Sequence, residues 1–167
     1  MILRGLPGRQ FWGCVCLTAL LMAALAGVVR AAGPTAPDFT LTDVTGKEYS
    51  LRQFRGKVVV VNFFTIWCQP CRAEMPDLNK IYREYKDQGL QMLGICLKTD
   101  PVQLRFLAQQ MKLDYPFLLG TDKVEADYGS IAIVPTTFII DRQGKIAKKI
   151  VGTRKKEEFV KEIKPLL

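Results

Sequence analysis

The run Val58-Val59-Val60-Val61-Asn62-Phe63-Phe64 is followed closely by Trp67-Cys68-Gln69-Pro70-Cys71. The first run is β-branched or aromatic at every position except Asn62, so it predicts a buried strand. The residues after Cys71 predict a helix, with Pro70 in its first turn, where a missing N–H has no partner to lose. The two cysteines therefore lie where a buried strand turns into a helix. The free N–H groups and the dipole at the start of a helix favour a thiolate, which is the reactive form of cysteine.

Two residues between the cysteines allow both thiols to lie on one helical turn, close enough to form and release a disulfide. We expect Cys68, at the exposed end, to attack a partner disulfide and Cys71 to resolve the mixed disulfide. The alternative is a structural pair, either half of a zinc site or a static bridge. Structural zinc sites take four Cys or His ligands, whereas this chain has no His and only Cys96 as a further Cys beyond residue 31. We predict neither a metal nor a cofactor.

Residues 1–31 have the pattern of a targeting segment. Arg4 and Arg9 precede an uncharged, mostly apolar run of 19 residues from Phe11 to Val29. Cleavage after Ala31 would make the segment a signal peptide, but 19 apolar residues also suffice to span a bilayer as a retained anchor with its N-terminus inside. Both interpretations place the folded domain outside the cytoplasm, in the periplasm or on the outer face of the cytoplasmic membrane, where disulfides persist.

The remaining chain predicts a linker over residues 32–37 and one domain over residues 38–167. Period-two alternation at Phe39–Thr42 and Lys47–Leu51 predicts a β-hairpin. A strand–helix–strand unit, a helix with a short strand and helix, and two strands with a closing helix then follow. This order predicts an α/β fold with a mixed central sheet flanked by helices. Several aromatic residues are assigned to packing: Tyr82, Tyr85, Phe106, Phe117 and Phe138.

The chain carries a formal net charge of +8, of which +5 lies beyond residue 31. Much of this excess lies late in the chain, where Lys and Arg are interleaved with Glu157, Glu158 and Glu162. Such a segment is either a solvated face or a docking patch for an acidic partner. No combination of aromatic and basic residues resembles a nucleic-acid platform, so we predict no nucleic acid partner. We expect a monomer.

Two motifs carry a resemblance to a known family: Phe64–Pro76 (FTIWCQPCRAEMP) and Val134–Gly144 (VPTTFIIDRQG). The chain resembles the extracytoplasmic thioredoxin-like thiol-disulfide oxidoreductases of the TlpA/ResA/CcmG type. The resemblance implies a thioredoxin fold with an added N-terminal hairpin. It also implies reduction of protein disulfides, often those of apocytochrome c, with electrons supplied by a membrane thiol reductase.

The resemblance also assigns roles to residues around the cysteines. Pro135 matches a cis-proline that faces the CxxC pair, which would expose the Val134 backbone to a substrate strand. An ordinary trans proline at the start of an edge strand is the alternative. Trp67 matches an aromatic residue beside the nucleophile, which would shield the thiolate and contact substrates; a packing role is the alternative.

Glu74 matches an acidic residue near the active site in part of this family. It lies three residues after Cys71 and therefore on the same helical face, where it could take or return the Cys71 proton. An exposed carboxylate near the helix start is the alternative. Asn62 stands where thioredoxin has a buried acid, so the acid–base role must lie elsewhere, unless Asn62 only bonds neighbouring backbone. Cys96 is expected to be a small buried hydrophobe, with a second redox role as the alternative.

Other activities of the same dithiol stay open at this stage. Thr65 and Cys68 have the Thr-x-x-Cys spacing of a peroxiredoxin-like peroxidase, although that family has Pro at the position of Val61. A disulfide oxidant or isomerase often has His between its cysteines, whereas this chain has Gln69 and Pro70 there and no His. A copper-delivery module would need further soft or imidazole ligands.

Overall fold

A computed structural model describes residues 33–167. The predicted signal peptide or anchor at residues 1–31, with Cys14 and Cys16, lies outside the described residues. Between residues 33 and 167, no helix has the length and apolar character needed to cross a bilayer.

A mixed five-stranded sheet with flanking helices forms the domain, and a separate two-stranded hairpin precedes it. The strand order is β5-β4-β3-β6-β7, with β3 parallel to β4 and antiparallel to β6. The predicted α/β class, the thioredoxin-like mixed sheet and the N-terminal hairpin are confirmed. In chain order the elements are β1 (Thr40–Thr42), β2 (Glu48–Ser50), β3 (Val58–Phe64), α1 (Gln69–Tyr85), β4 (Leu90–Cys96), α2 (Pro101–Met111), β5 (Phe117–Leu119), α3 (Asp122–Asp127), β6 (Thr136–Ile140), β7 (Ile146–Val151) and α4 (Lys156–Ile163).

Strand β3 is buried along its whole length because both of its faces are covered. Val60 and Phe64 pack on the face that carries α1, α2 and α4. Val61 and Phe63 point to the other face, where they meet residues from the hairpin and α3. Because residues on both faces of β3 are buried, the strand is an almost continuous apolar run, as expected for a central strand of an α/β sheet.

Local signals in the sequence explain where the helices begin and end. Asp100 caps α2, since its Oδ1 accepts hydrogen bonds from the N–H groups of Val102 and Gln103 at 2.8 and 2.9 Å. The region after α1 ends at Gly89, which has a φ of 97°. The packing role predicted for Phe106 is wrong, because its side chain is 61% exposed. Residues Leu104 and Leu107 provide the buried face of α2 instead.

Three strand ends meet at one edge of the sheet. Phe64 pairs with Cys96, and Phe63 pairs with Thr136, so the carboxyl ends of β3 and β4 lie beside the amino end of β6. We call this the carboxyl edge, after β3. The segments that follow β3 and precede β6 are therefore brought together at the carboxyl edge, although they are far apart in sequence.

Residues 33–37, which the sequence predicts as a linker, are hydrogen-bonded to the domain. The Pro34 carbonyl accepts from the N–H of Ile146 at 2.8 Å, and the N–H of Ala36 donates to the Gly144 carbonyl at 3.0 Å. Proline lacks an N–H but keeps a carbonyl acceptor, so a proline-containing segment can still pair on one side. These contacts lie at the β6–β7 turn, which is at the end of the sheet opposite the carboxyl edge.

Candidate active site

The two cysteines of the CxxC motif lie at the start of α1, on the carboxyl edge. Cys68 is the N-cap residue, and its sulfur accepts a hydrogen bond from the N–H of Cys71 at 3.1 Å. The Cα atoms are 5.2 Å apart, and the two sulfurs are joined in a disulfide. The structure therefore shows the oxidised form of the pair. In the reduced form the same N–H and the helix dipole would favour a Cys68 thiolate.

The two sulfurs differ in their access to solvent. Cys71 is only 1% exposed and packs with the core beneath α1, whereas Cys68 is partly exposed. An external disulfide can therefore reach Cys68 but not Cys71. This asymmetry fits the order of attack that the sequence predicts.

Val134 and Pro135 face the disulfide from the start of β6. The Val134–Pro135 peptide bond is cis, as predicted. The carbonyl oxygen of Val134 lies 3.8 Å from the Cys68 sulfur. A substrate segment that pairs with this backbone would hold its own sulfur beside Cys68.

Glu74 lies one turn after Cys71 and is 6% exposed, which excludes the alternative of an exposed carboxylate near the helix start. Its Oε1 accepts a hydrogen bond from the N–H of Arg154 at 2.8 Å, and its buried Oε2 has no partner among the described protein atoms. Burial raises the pKa of Glu74 to about 7, against the opposing effects of the Arg154 N–H and charge. The carboxyl can therefore exchange a proton near neutral pH.

A cleft of about 510 Å³ opens beside this carboxyl. Pro70, Glu74 and Asp77 line it from α1, and Arg154 and Lys155 line it from the segment before α4. Water and solutes can thus approach the helix face that carries Glu74. Sequence reasoning missed Arg154, because its contact with Glu74 joins residues 80 positions apart.

Asn62 occupies a buried position on β3, directly opposite Thr137 on β6. Its Nδ2 donates to Thr137 Oγ1 at 2.9 Å, so its recorded partner is a side chain and not neighbouring backbone. Neither an amide nor a threonine hydroxyl takes up or releases a proton near neutral pH. Of the predicted site residues, Glu74 is the one with a buried group that can titrate near neutral pH.

Two large apolar side chains are exposed in the segments that carry the disulfide and the cis-proline. Trp67 is 67% exposed, which excludes a pure packing role. Ile133, which precedes Val134, is also exposed and was missed by sequence reasoning. Its position two residues before the cis-proline is the signal that could have identified it. Both residues present apolar surface to solvent, which is a common feature of sites that bind polypeptides.

Cys96 is buried at the end of β4 and is a free thiol. Burial raises the pKa of this thiol to about 12, against the smaller opposing effects of Thr99 and the Ile66 backbone. At neutral pH it is therefore protonated and unreactive. The prediction of a small buried hydrophobe fits these observations, and no other cysteine between residues 33 and 167 is unpaired.

Comparison with known proteins agrees with this geometry. The profile of the Redoxin family matches residues 31–166. The chain is 40% identical over 139 residues to the thiol-disulfide oxidoreductase ResA of Geobacillus thermodenitrificans, covering 81% of this chain and 79% of that protein. It is 31% identical over 136 residues to the ResA protein of Bacillus subtilis, covering 80% and 76%.

Two solved structures are similar in fold. One is a thiol:disulfide interchange protein of the thioredoxin family from Chlorobium tepidum, with a TM-score of 0.76 and 30% identity over 83% of this chain and 99% of that one. The other is the thioredoxin domain of a thiol-disulfide oxidoreductase from Bacteroides vulgatus, with a TM-score of 0.72 and 28% identity over 82% and 99%.

Proposed function

Because the chain belongs to the redoxin family and is a thiol-disulfide oxidoreductase with a CxxC dithiol, we propose that Cys68 and Cys71 reduce disulfides of protein substrates outside the cytoplasm. The observation that carries this proposal is the difference in access between the two sulfurs. Cys68 is reachable and faces the Val134 carbonyl, whereas Cys71 is buried behind it. That arrangement suits one attacking sulfur and one resolving sulfur.

Electrons and protons balance over two exchange steps. The Cys68 thiolate attacks one sulfur of the substrate disulfide, forms a mixed disulfide and releases the other substrate sulfur as a thiolate. The Cys71 sulfur, after its proton passes to Glu74, attacks the Cys68 sulfur and releases the second substrate thiolate. The substrate gains two electrons and takes up two protons, and Cys68 and Cys71 end as a disulfide.

The other site residues serve recognition in this proposal. The Val134 backbone, held open by the cis bond to Pro135, pairs with the extended substrate next to its cysteine. Trp67 adds apolar contact to the same segment. Since Asn62 cannot take a proton, Glu74 serves as the acid–base group.

The physiological setting extends the same proposal. Residues 1–31 export the domain or anchor it, and residues 38–167 perform the exchange as a monomer. Apocytochrome c is the proposed substrate, as the resemblance to the TlpA/ResA/CcmG type implies. A membrane thiol reductase would return two electrons to the Cys68–Cys71 disulfide after each cycle.

Single-cysteine variants test the assignment. Cys68→Ser should abolish reduction of a protein disulfide, whereas Cys71→Ser should accumulate a mixed disulfide that is visible on a non-reducing gel. Cys96→Ala is the matched control and should keep full activity. Retained turnover by Cys68→Ser would refute the assignment.

The reduction potential tests the direction of electron flow. Equilibration of the Cys68–Cys71 couple with graded thiol buffers, followed by alkylation, gives this potential. A value near or below about −270 mV would support a reductant, and a value near about −120 mV would show an oxidant and overturn the reductive role.

A further inference from the structure

Strand β7 has an outer edge that is largely open. β7 is the last strand of the sheet and pairs with β6 alone. Pro34 pairs with its first residue, Ile146, and the stretch 147–151 has no further strand partner between residues 33 and 167. Unpaired N–H and C=O groups on such an edge can bind another extended chain.

A groove with charged side chains follows this open edge. A cleft of about 330 Å³ is lined by Lys148, Lys149, Val151 and Arg154, together with two glutamates of α4. Lys148 and Arg154 make partial ion pairs with these glutamates at 3.5 and 3.7 Å. Lys149 has no carboxylate partner among the described residues, and its ammonium lies 5.3 Å from the centre of the Phe138 ring. Successive side chains of a strand point to opposite faces, and Lys149 shares the face of Phe138, so its unpaired positive charge flanks the open edge on the face of the sheet opposite α4.

The groove is continuous with the active site. Arg154 and Glu158 line both this groove and the cleft beside Glu74, which also includes Pro70 from the CxxC motif. The C-terminal end of β7 also lies next to the active site, because the N–H of Gly152, directly after β7, donates to the Pro135 carbonyl at 2.8 Å. The open strand edge thus ends beside the cis-proline.

From these observations we infer that the groove along β7 binds an extended, acidic segment of the protein substrate, which adds as a strand next to β7. This inference rests on the proposed function and names a second contact for its substrate. Acidic side chains in the segment would pair with Lys149 and compete for Lys148 and Arg154. A second copy of this chain is a poorer occupant, because two such edges would bring like charges together.

The spacing of the sheet agrees with this substrate path. An added strand would follow β6 and β7 as the third strand from β3. At about 4.8 Å between neighbouring strands, it would lie about 14 Å from β3. An extended chain rises about 3.3 Å per residue, so about four or five residues would connect the acidic segment to the substrate cysteine at Cys68.

Synthetic peptide disulfides test the inference on the full chain. Each peptide carries one cysteine pair and a flank of either Asp and Glu or the matching Asn and Gln, about five residues away. We expect kcat/KM to be about tenfold higher for the acidic flank at low ionic strength and nearly equal at high salt. The double variant Lys148→Gln/Lys149→Gln should lose this preference, whereas Lys57→Gln/Lys112→Gln, which removes the same charge elsewhere, should keep it.

Strand addition has its own measurement. Cys71→Ser traps the acidic peptide on Cys68, and hydrogen exchange should then show slower exchange of amides within 147–151 than in the peptide-free protein. Equal rates for the two flanks, an equal loss in the control pair, or unchanged exchange in 147–151 would overturn the inference. Dimerisation of the free protein that protects the same amides would overturn it in favour of a second copy. Reduction of a small uncharged disulfide reports the dithiol chemistry separately, so a failure of the proposed function is distinguishable.

Discussion

The buried carboxyl of Glu74 should make the stability of this protein fall as the pH rises. Burial raises its pKa from 4.5 to about 7 in the folded protein, and unfolding returns it to water. The folded state therefore binds this proton more tightly than the unfolded state. Such a group contributes its full stability below the unfolded pKa and loses it as the pH rises through the folded pKa.

The expected magnitude follows from this difference in proton affinity. One pKa unit corresponds to about 1.36 kcal/mol, so ionisation of Glu74 should lower the free energy of unfolding by about 3 kcal/mol between about pH 4 and pH 8. About 1.4 kcal/mol of this should already be lost by about pH 5.5. In Glu74→Gln the amide oxygen can still accept the hydrogen bond from the Arg154 N–H, while the titration is removed.

Urea unfolding of the oxidised protein at a series of pH values measures this effect. The stability of wild type relative to Glu74→Gln should fall as the pH rises from about 4 to about 8. Glu84→Gln is the matched control on the same helix. Glu84 is exposed and hydrogen-bonds Lys156, which lowers its pKa, so any small change should have the opposite sign. A difference between wild type and Glu74→Gln that is flat with pH, or that rises, would refute the reasoning.

Three further substitutions test other features. Trp67→Ala should raise KM for protein substrates about tenfold but change stability by less than about 0.5 kcal/mol, since the side chain is mostly exposed; an unchanged KM would exclude the contact role. Cys96→Ala should retain the reduction potential of the wild type. In the wild type, the Cys96 thiol should resist alkylation until the protein unfolds, because burial raises its pKa to about 12. Gly94→Ala should destabilise the domain by about 1–3 kcal/mol in urea unfolding, because a Cβ there would lie 2.8 Å from the Phe117 ring; an unchanged midpoint would contradict this packing argument.

The fold was predictable because its central elements have strong local patterns. The apolar run of β3 marks the central strand, and the Pro and Gly positions around α1 and α2 mark where helices begin and end. The cis bond at Pro135 was predicted through the family motif and not through local propensity. Phe106 shows the limit of this approach, because an aromatic residue on a helix does not indicate by itself which face meets the core.

The site was predictable only in part, because several of its contacts join distant segments. The CxxC spacing is local, so Cys68 and Cys71 were identified directly. The burial of Glu74 depends on the segment that contains Arg154, and the Asn62 contact depends on the register between β3 and β6. No periodicity within either segment encodes these pairings, so sequence reasoning left Glu74 with an exposed alternative.

The hydrogen bonds of residues 33–37 at the β6–β7 turn have a consequence for how the domain is held. The polypeptide enters the domain at the pole opposite the disulfide, and Ala36 is fixed there to Gly144. A pull applied through residue 33 would therefore load the β6–β7 turn first and leave the start of α1 without direct strain. If residues 1–31 anchor the domain, as proposed above, the disulfide lies at the opposite end of the sheet from residue 33, where a partner can reach it.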